Sequence, residues 1–493
     1  MKNWNVRKTI VPREEMAPEH RLKATLSWPH LIALGVGAIV GTGILTLTGV
    51  GADRAGPAML VSFVIAGAIC ACAALCYAEM STSIPVSGSA YTYSYSVLGE
   101  GFAWIVGWSL ILEYSLVVST VAVGWAGYAN DALRHIGFGL PDFLTHGPTL
   151  AGAQCGAAAQ QASVGVNVLA VLIIGVVAAL LSFGTRESAR VNIVLVLLKL
   201  ATLSLFVIVA LPHFHMSNLH PFAPHGIFAT PGACGRPYGI MPAAAIMFFA
   251  FYGFDAISTA AEETKNPGRD LAIGIVGSMV ACTLIYIIVG AAAVGAVHYT
   301  VFANSPEPLS LILRQAGQGN IATIVSTGAV IALPTVLLAF LYGQSRIFMV
   351  MARDGFFPKA LAAVWAKRGT PVRITIVTAV VVAIIAAVTP IDVIASLANA
   401  GTLCAFVSVG LCVIVRRLRE PDAERPFRTP LIWIVAPLTI LGCIYLFTNL
   451  SWLTIEFFVA WNVIGLIVYF IYGSPRAERA RAASSPAGGG EPA

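Results

Sequence analysis

Apolar runs of about 20 residues, each long enough to cross a hydrocarbon core, alternate with short polar segments along most of the chain. They fall at about 29–52, 57–82, 100–128, 163–183, 190–211, 239–262, 270–297, 321–350, 373–389, 391–415, 431–450 and 453–473. Twelve such spans predict an all-α polytopic membrane protein. Leu211-Pro212 and Thr389-Pro390 close two of them, because proline has no backbone donor with which to continue a helix. Asp392, Ser396 and Asn399 dilute the start of the tenth.

Two spans are interrupted at membrane depth. The first contains GVGAIVGTGIL, with Gly35, Gly37, Gly41 and Gly43; the sixth contains Tyr252-Gly253-Phe254-Asp255. Lipid offers no hydrogen-bond partners, so freed backbone groups persist only where protein or a cavity receives them. Broken helices in corresponding positions of two halves point to a transporter's binding site. The breaks lie five spans apart, which predicts two inverted halves, 29–211 (spans one to five) and 239–415 (spans six to ten), with accessory spans in 431–473. Gly41-Thr42-Gly43 would turn backbone N–H groups and the positive end of a half-helix toward a cavity, a setting for a carboxylate. Gly37 and Gly41 also fit a helix-packing surface of small residues. In the sixth span, carbonyls near Phe249, Ala250 and Tyr252 would lose their helical partners and accept from an ammonium group. Together the breaks suit the two charged ends of a free α-amino acid.

Composition agrees with the spans. The chain of 493 residues is 58% hydrophobic and 11% charged, with mean hydropathy +0.83, whereas a soluble domain carries about 25% charge. Of the 29 Lys and Arg, 24 fall in segments predicted on one side, four (Arg54, Arg134, Arg236, Arg314) on the other, and Lys199 inside a span. The positive-inside bias puts both termini in the cytoplasm. The tail 1–28 is polar and shows no cleavable signal peptide, and 474–493 is low in complexity and reads as disordered. Basic residues flank the spans rather than forming a patch, so no nucleic-acid partner is expected. No GxxxxGK[ST] run occurs, and no segment between spans is large enough for an enzymatic domain. No histidine lies deep in a span, so no metal or cofactor is expected. Seven cysteines lie in spans as small apolar residues. Cys155 and Cys234, in segments predicted outside, are either a disulfide pair or free thiols.

Ionisable side chains within spans are costly and cluster at functional positions. Three lie well inside: Glu113 in the third span, Lys199 in the fifth and Asp255 in the sixth. They should face a cavity or one another, and they are the candidates for proton coupling. Glu79 is expected to cap or pair locally, and Glu262 and Glu263 to meet Lys265 or gate residues.

GAIVGTGI, YAEMSTSIPVSGSAYTYSY, the Glu113 span, FYGFDAISTAAEETKNP and YGQSRIFMVMARDG resemble the amino acid–polyamine–organocation superfamily, and within it the bacterial relatives of the cationic amino acid transporters. The resemblance runs from about Arg21 to Tyr472. It implies a LeuT-type fold of five plus five inverted helices, in the cell (inner) membrane. By position it implies that Ile39, Gly41, Thr42 and Gly43 hold substrate with Phe249, Ala250 and Tyr252, and that Pro334 borders the side-chain pocket. It places Lys199 where proton-coupled members replace a sodium site, and Glu113 and Asp255 at acidic positions of the cationic branch. The chain departs from the animal members by lacking their further C-terminal spans, which leaves cationic and neutral substrates both open.

The expected protein is a monomeric secondary transporter importing L-amino acids by proton symport and alternating access. Obligate amino acid/amine exchange and a non-transporting sensor are the alternatives.

Overall fold

The computed structural model describes residues 4–8, 22, 24–135, 137–145, 147, 165–183, 185–231, 237–303, 305, 307–365, 370–389 and 391–484. Cys155 and Cys234, and so their pairing, lie outside them. Helices dominate. In chain order they are α1 (Trp28–Ile39), α2 (Thr42–Leu45), α3 (Leu47–Ala55), α4 (Met59–Ser83), α5 (Ser89–Val97), α6 (Glu100–His135), α7 (Val168–Phe183) and α8 (Thr185–Ala210). After a long connection follow α9 (Ile240–Met247), α10 (Asp255–Thr259), α11 (Pro267–Ala296), α12 (Tyr299–Phe302), α13 (Pro308–Gln315), α14 (Gly319–Ala332) and α15 (Pro334–Arg353). The chain ends with α16 (Val372–Val388), α17 (Ile391–Arg419), α18 (Ile432–Thr448), α19 (Trp452–Val468) and α20 (Ser474–Ser484). The described strands are two, Thr230–Pro231 and Pro237–Tyr238, paired antiparallel.

Among the described residues, nine helical stretches are long and apolar enough to cross a membrane, and α7, α16 and α18 are shorter apolar helices. The protein is an all-α, multi-pass membrane protein. Proline sets several boundaries as its chemistry requires: Pro267, Pro308 and Pro334 each open a helix, and α8 and α16 stop just before Pro212 and Pro390.

Both expected breaks are present. The first apolar span divides into α1 and α2 around Val40 and Gly41, neither of which is helical. The sixth divides into α9 and α10 around Phe248–Phe254. Gly253 there has φ +124°, a region that side chains with a Cβ rarely enter. Its neighbour across the gap is the α1 backbone: a Cβ at Gly253 would stand 3.0 Å from the Ala38 carbonyl carbon. The two breaks are thus packed against each other. The span at 321–350 is also interrupted, between α14 and α15 at Leu333-Pro334.

One expectation about charged residues is corrected and a second is narrowed. Glu79 does not pair locally. It accepts a bidentate pair from Arg417 on α17, at 2.7 and 2.8 Å, and the backbone N–H of Thr429 at 2.8 Å. Glu262 and Glu263 meet α15 rather than Lys265: Arg353 reaches Glu262 at 3.2 Å, and Arg346 reaches Glu263 at 2.8 Å. The Tyr342 hydroxyl also donates to Glu263. Partners this distant along the chain are brought together by helix packing, which the sequence pattern does not encode.

Candidate functional site

A small cavity lies between the two breaks, with room for little more than a water molecule. Its walls are Ala38, Ile39, Gly41, Thr42 and Gly43 from the first break, Phe249 and Tyr252 from the second, Val117 from α6, and Val336 and Phe340 from α15. Six of the residues singled out from the sequence line it: Ile39, Gly41, Thr42, Gly43, Phe249 and Tyr252. Glycine has no side chain, so Gly41 and Gly43 offer the cavity backbone atoms alone. At Gly43 the approach is so close that a Cβ would overlap the Ala250 Cα. Ala250 is therefore a neighbour of the site rather than a wall. Pro334 also stands outside the walls; Val336 and Phe340, two and six residues further along the same helix, form that side.

Two hydroxyls at the cavity, Thr42 Oγ1 and Tyr252 Oη, are buried without a hydrogen-bond partner. Buried polar atoms are nearly always satisfied, so orphans at a cavity mark a place for a polar ligand or water. Between them the walls are apolar: Ile39, Val117, Val336 and Phe340. Tyr286 on α11 joins the two breaks, its hydroxyl standing 2.6 Å from the Ile39 carbonyl and 2.8 Å from the Ala250 carbonyl. One hydroxyl proton serves two freed backbone acceptors, one from each broken helix.

Lys199 is fully buried on α8. Its ammonium donates to the Gly37 carbonyl at 3.0 Å, to the Val40 carbonyl and to Thr335 Oγ1 at 2.5 Å. Gly37 and Val40 are carbonyls from the unwinding end of α1, and Thr335 follows the proline that opens α15. Lys199 thus ties three elements at the first break, with three protons for three acceptors.

Glu113 and Asp255 form a separate group, within electrostatic reach of each other. Asp255 opens α10 and accepts from the Tyr114 hydroxyl at 2.5 Å through one oxygen; its other oxygen has no partner. Neither Glu113 oxygen has a partner. The Thr402 hydroxyl beside it donates instead to the Ala398 carbonyl at 3.3 Å. The structure therefore brings the two carboxyl groups together and holds Lys199 on different partners. The sequence reading missed Tyr114, Tyr286, Thr335, Val117, Val336 and Phe340. Each resembles ordinary helix packing until its neighbour is known.

An unwound pair of helices thus surrounds a cavity, with a buried lysine clamping one of them. The Amino acid permease family matches residues 26–472. The chain belongs to the amino acid–polyamine–organocation superfamily. It is 44% identical over 454 residues to the branched-chain amino acid permease BcaP of Bacillus subtilis (strain 168), covering 92% of this chain and 94% of that one. It is 40% identical over 465 residues to the methylthioribose transporter of the same organism, covering 94% of this chain and 96% of that one. To the vacuolar cationic amino acid transporter 4 of Arabidopsis thaliana it is 35% identical over 413 residues, covering 82% of this chain and 65% of the plant protein. Members of this family are permeases, and the chain is a transporter rather than an enzyme.

Proposed function

We propose that this superfamily member imports neutral aliphatic L-amino acids across the cell (inner) membrane by proton symport, as a monomer with twelve spans. The first ten spans form a five-plus-five inverted repeat, and both termini face the cytoplasm. The observation that carries the reading is the cavity between two broken helices, lined by the backbone of Gly41 and Gly43 and by two partnerless hydroxyls. Backbone N–H groups at the α2 end suit the carboxylate. Carbonyls near Phe249 and Tyr252, the second-break residues that line the cavity, suit the ammonium. Once the helices part to admit it, the side chain lies against Ile39, Val117, Val336 and Phe340, none of which carries a charge. The 44% identity to a branched-chain amino acid permease supports that choice.

Lys199 is the proposed coupling group. A protonated ammonium satisfies the Gly37, Val40 and Thr335 oxygens together. The neutral amine has one donor fewer and a lone pair, so the clamp loses one of its three bonds and its charge, although Thr335 Oγ1 still donates to the Gly37 carbonyl at 3.1 Å. That loss loosens α1 from α8 and α15 and frees the inner half of the first span to move. Glu113 and Asp255 are the proposed second protonation site. The 40% identity to a methylthioribose transporter favours a second reading, a neutral thioether sugar in the same cavity. Uptake of radiolabelled L-leucine into proteoliposomes, acidic outside, tests the proposal. Wild type accumulates leucine, a protonophore abolishes accumulation, and Lys199→Ala does not respond to the gradient. Accumulation unchanged by protonophore or by Lys199→Ala contradicts coupling. Competition by methylthioribose but not by isoleucine favours the sugar.

A further inference from the structure

The segment Ser87-Gly88-Ser89 belongs to the motif PVSGSAYTYSY, which neither the cavity nor the lysine clamp uses. Ser89 is fully buried and opens α5 with φ +53°, a left-handed conformation uncommon for a residue with a Cβ. Such strain persists only where the surroundings hold it, and it concentrates at functional positions. Here it sets the Ser89 hydroxyl 2.9 Å from the Ser258 hydroxyl of α10. Ser258 also reaches the Asp255 carbonyl at 2.6 Å. Two tyrosines stand around this pair. Tyr77 of α4 lies beside Ser89, Glu113 and Asp255; Tyr93 of α5 lies beside Ser258, Ser81 and Asp255.

The hydroxyls of Tyr77, Tyr93 and Ser87, one oxygen of Asp255 and both oxygens of Glu113 are buried without partners. A group of orphaned oxygens this dense calls for ordered water. At the far end, the Ser87 N–H donates to Glu262 at 3.0 Å, and Glu262 meets the partly exposed Arg353 at 3.2 Å. Hydroxyls thus run from the carboxyl pair to Ser89 and Ser258, and the Ser87 backbone N–H next to them meets Glu262 in the turn after α10. Asp255 is faced by Tyr114 and Glu113 from α6, Tyr77 from α4, Tyr93 from α5 and Tyr252 from its own break.

We propose that Tyr77, Ser89 and Ser258 form, with bound water, a hydroxyl relay through which the proton of the Glu113–Asp255 pair leaves toward Glu262. This rests on the proton-symport reading. Each hydroxyl oxygen accepts one proton and releases its own, so none is consumed, and the last proton passes to solvent water. Net uptake needs this release before the empty carrier returns. Exchange of bound for free substrate does not, because the proton remains in place.

The test compares two readouts in proteoliposomes, using radiolabelled L-leucine with wild type, Tyr77→Phe and Ser258→Ala. One is uptake driven by a pH gradient; the other is counterflow against internal unlabelled leucine at equal pH. In both variants the ratio of driven uptake to counterflow falls about tenfold or more, and Tyr77→Phe raises the solvent deuterium isotope effect on driven uptake. An unchanged ratio in both variants, whether the two rates hold or fall together, overturns the relay. If wild type itself ignores the gradient, proton symport fails, and the relay with it. If wild type responds and the variants keep its ratio, only the relay fails.

Discussion

At the scale of single residues, the site depends on what is missing as much as on what is present. Gly43 leaves no Cβ where the α1–α2 break meets Ala250, and the atom in the way is backbone, which cannot rotate aside. Gly43→Ala therefore forces the breaks apart, at a cost of about 1–3 kcal/mol typical of overpacking. Leucine uptake should fall about tenfold or more through KM; uptake at the wild-type KM would show that the contact is dispensable. The glycines and Asp255 were legible in the sequence because such residues are anomalous within apolar spans. Tyr286, Tyr114 and Thr335 were not. Their roles come from a single hydroxyl meeting a carbonyl or charge on another helix, and a tyrosine in an apolar span is ordinarily packing. Lys199 was legible as a buried charge, whereas its partners, the Gly37 and Val40 carbonyls and Thr335, required the fold.

At the scale of elements, α10 is a helix of five residues that could not hold itself in place by its own hydrogen bonds. Neighbours fix it. Ser258 meets α5, and the turn after it anchors to α15 through Glu262–Arg353 and Glu263–Arg346. The Glu263–Arg346 pair is fully buried, with side chains 1% and 3% exposed. Removing one partner of such a pair strands the other charge, at about 3–5 kcal/mol. Glu263→Ala should accordingly lower the detergent-solubilised melting temperature markedly, and Glu263→Ala with Arg346→Met should recover part of the loss. A double variant no more stable than the single one would mean that the pair does not act as a unit. The two broken spans were readable as elements. The third break, at Leu333-Pro334, was masked by continuous hydrophobicity on both sides of the proline.

At the scale of the whole molecule, hydrophobic length and charge asymmetry made the class of protein plain. The same pattern could not supply the pairing of helices. Glu79 and Arg417 show why: their bidentate contact ties α4 to α17 across 338 positions of sequence. Membrane orientation is open to a direct check. In a background with Cys155 and Cys234 replaced by serine, Ala229→Cys lies between α8 and α9, and Glu424→Cys between α17 and α18. A membrane-impermeant maleimide applied to intact cells should label the first and spare the second; the reverse pattern would invert the proposed topology.

In the proposed binding mode two broken helices hold both charged ends of one amino acid. Calorimetric titration of the purified protein addresses this most directly, with L-leucine, 3-methylbutylamine (no carboxylate) and 4-methylpentanoate (no ammonium) as ligands. Leucine should bind, and each truncated analogue should bind at least about a hundredfold more weakly, the loss of one charge-assisted set of hydrogen bonds. Either analogue binding as tightly as leucine would contradict the account.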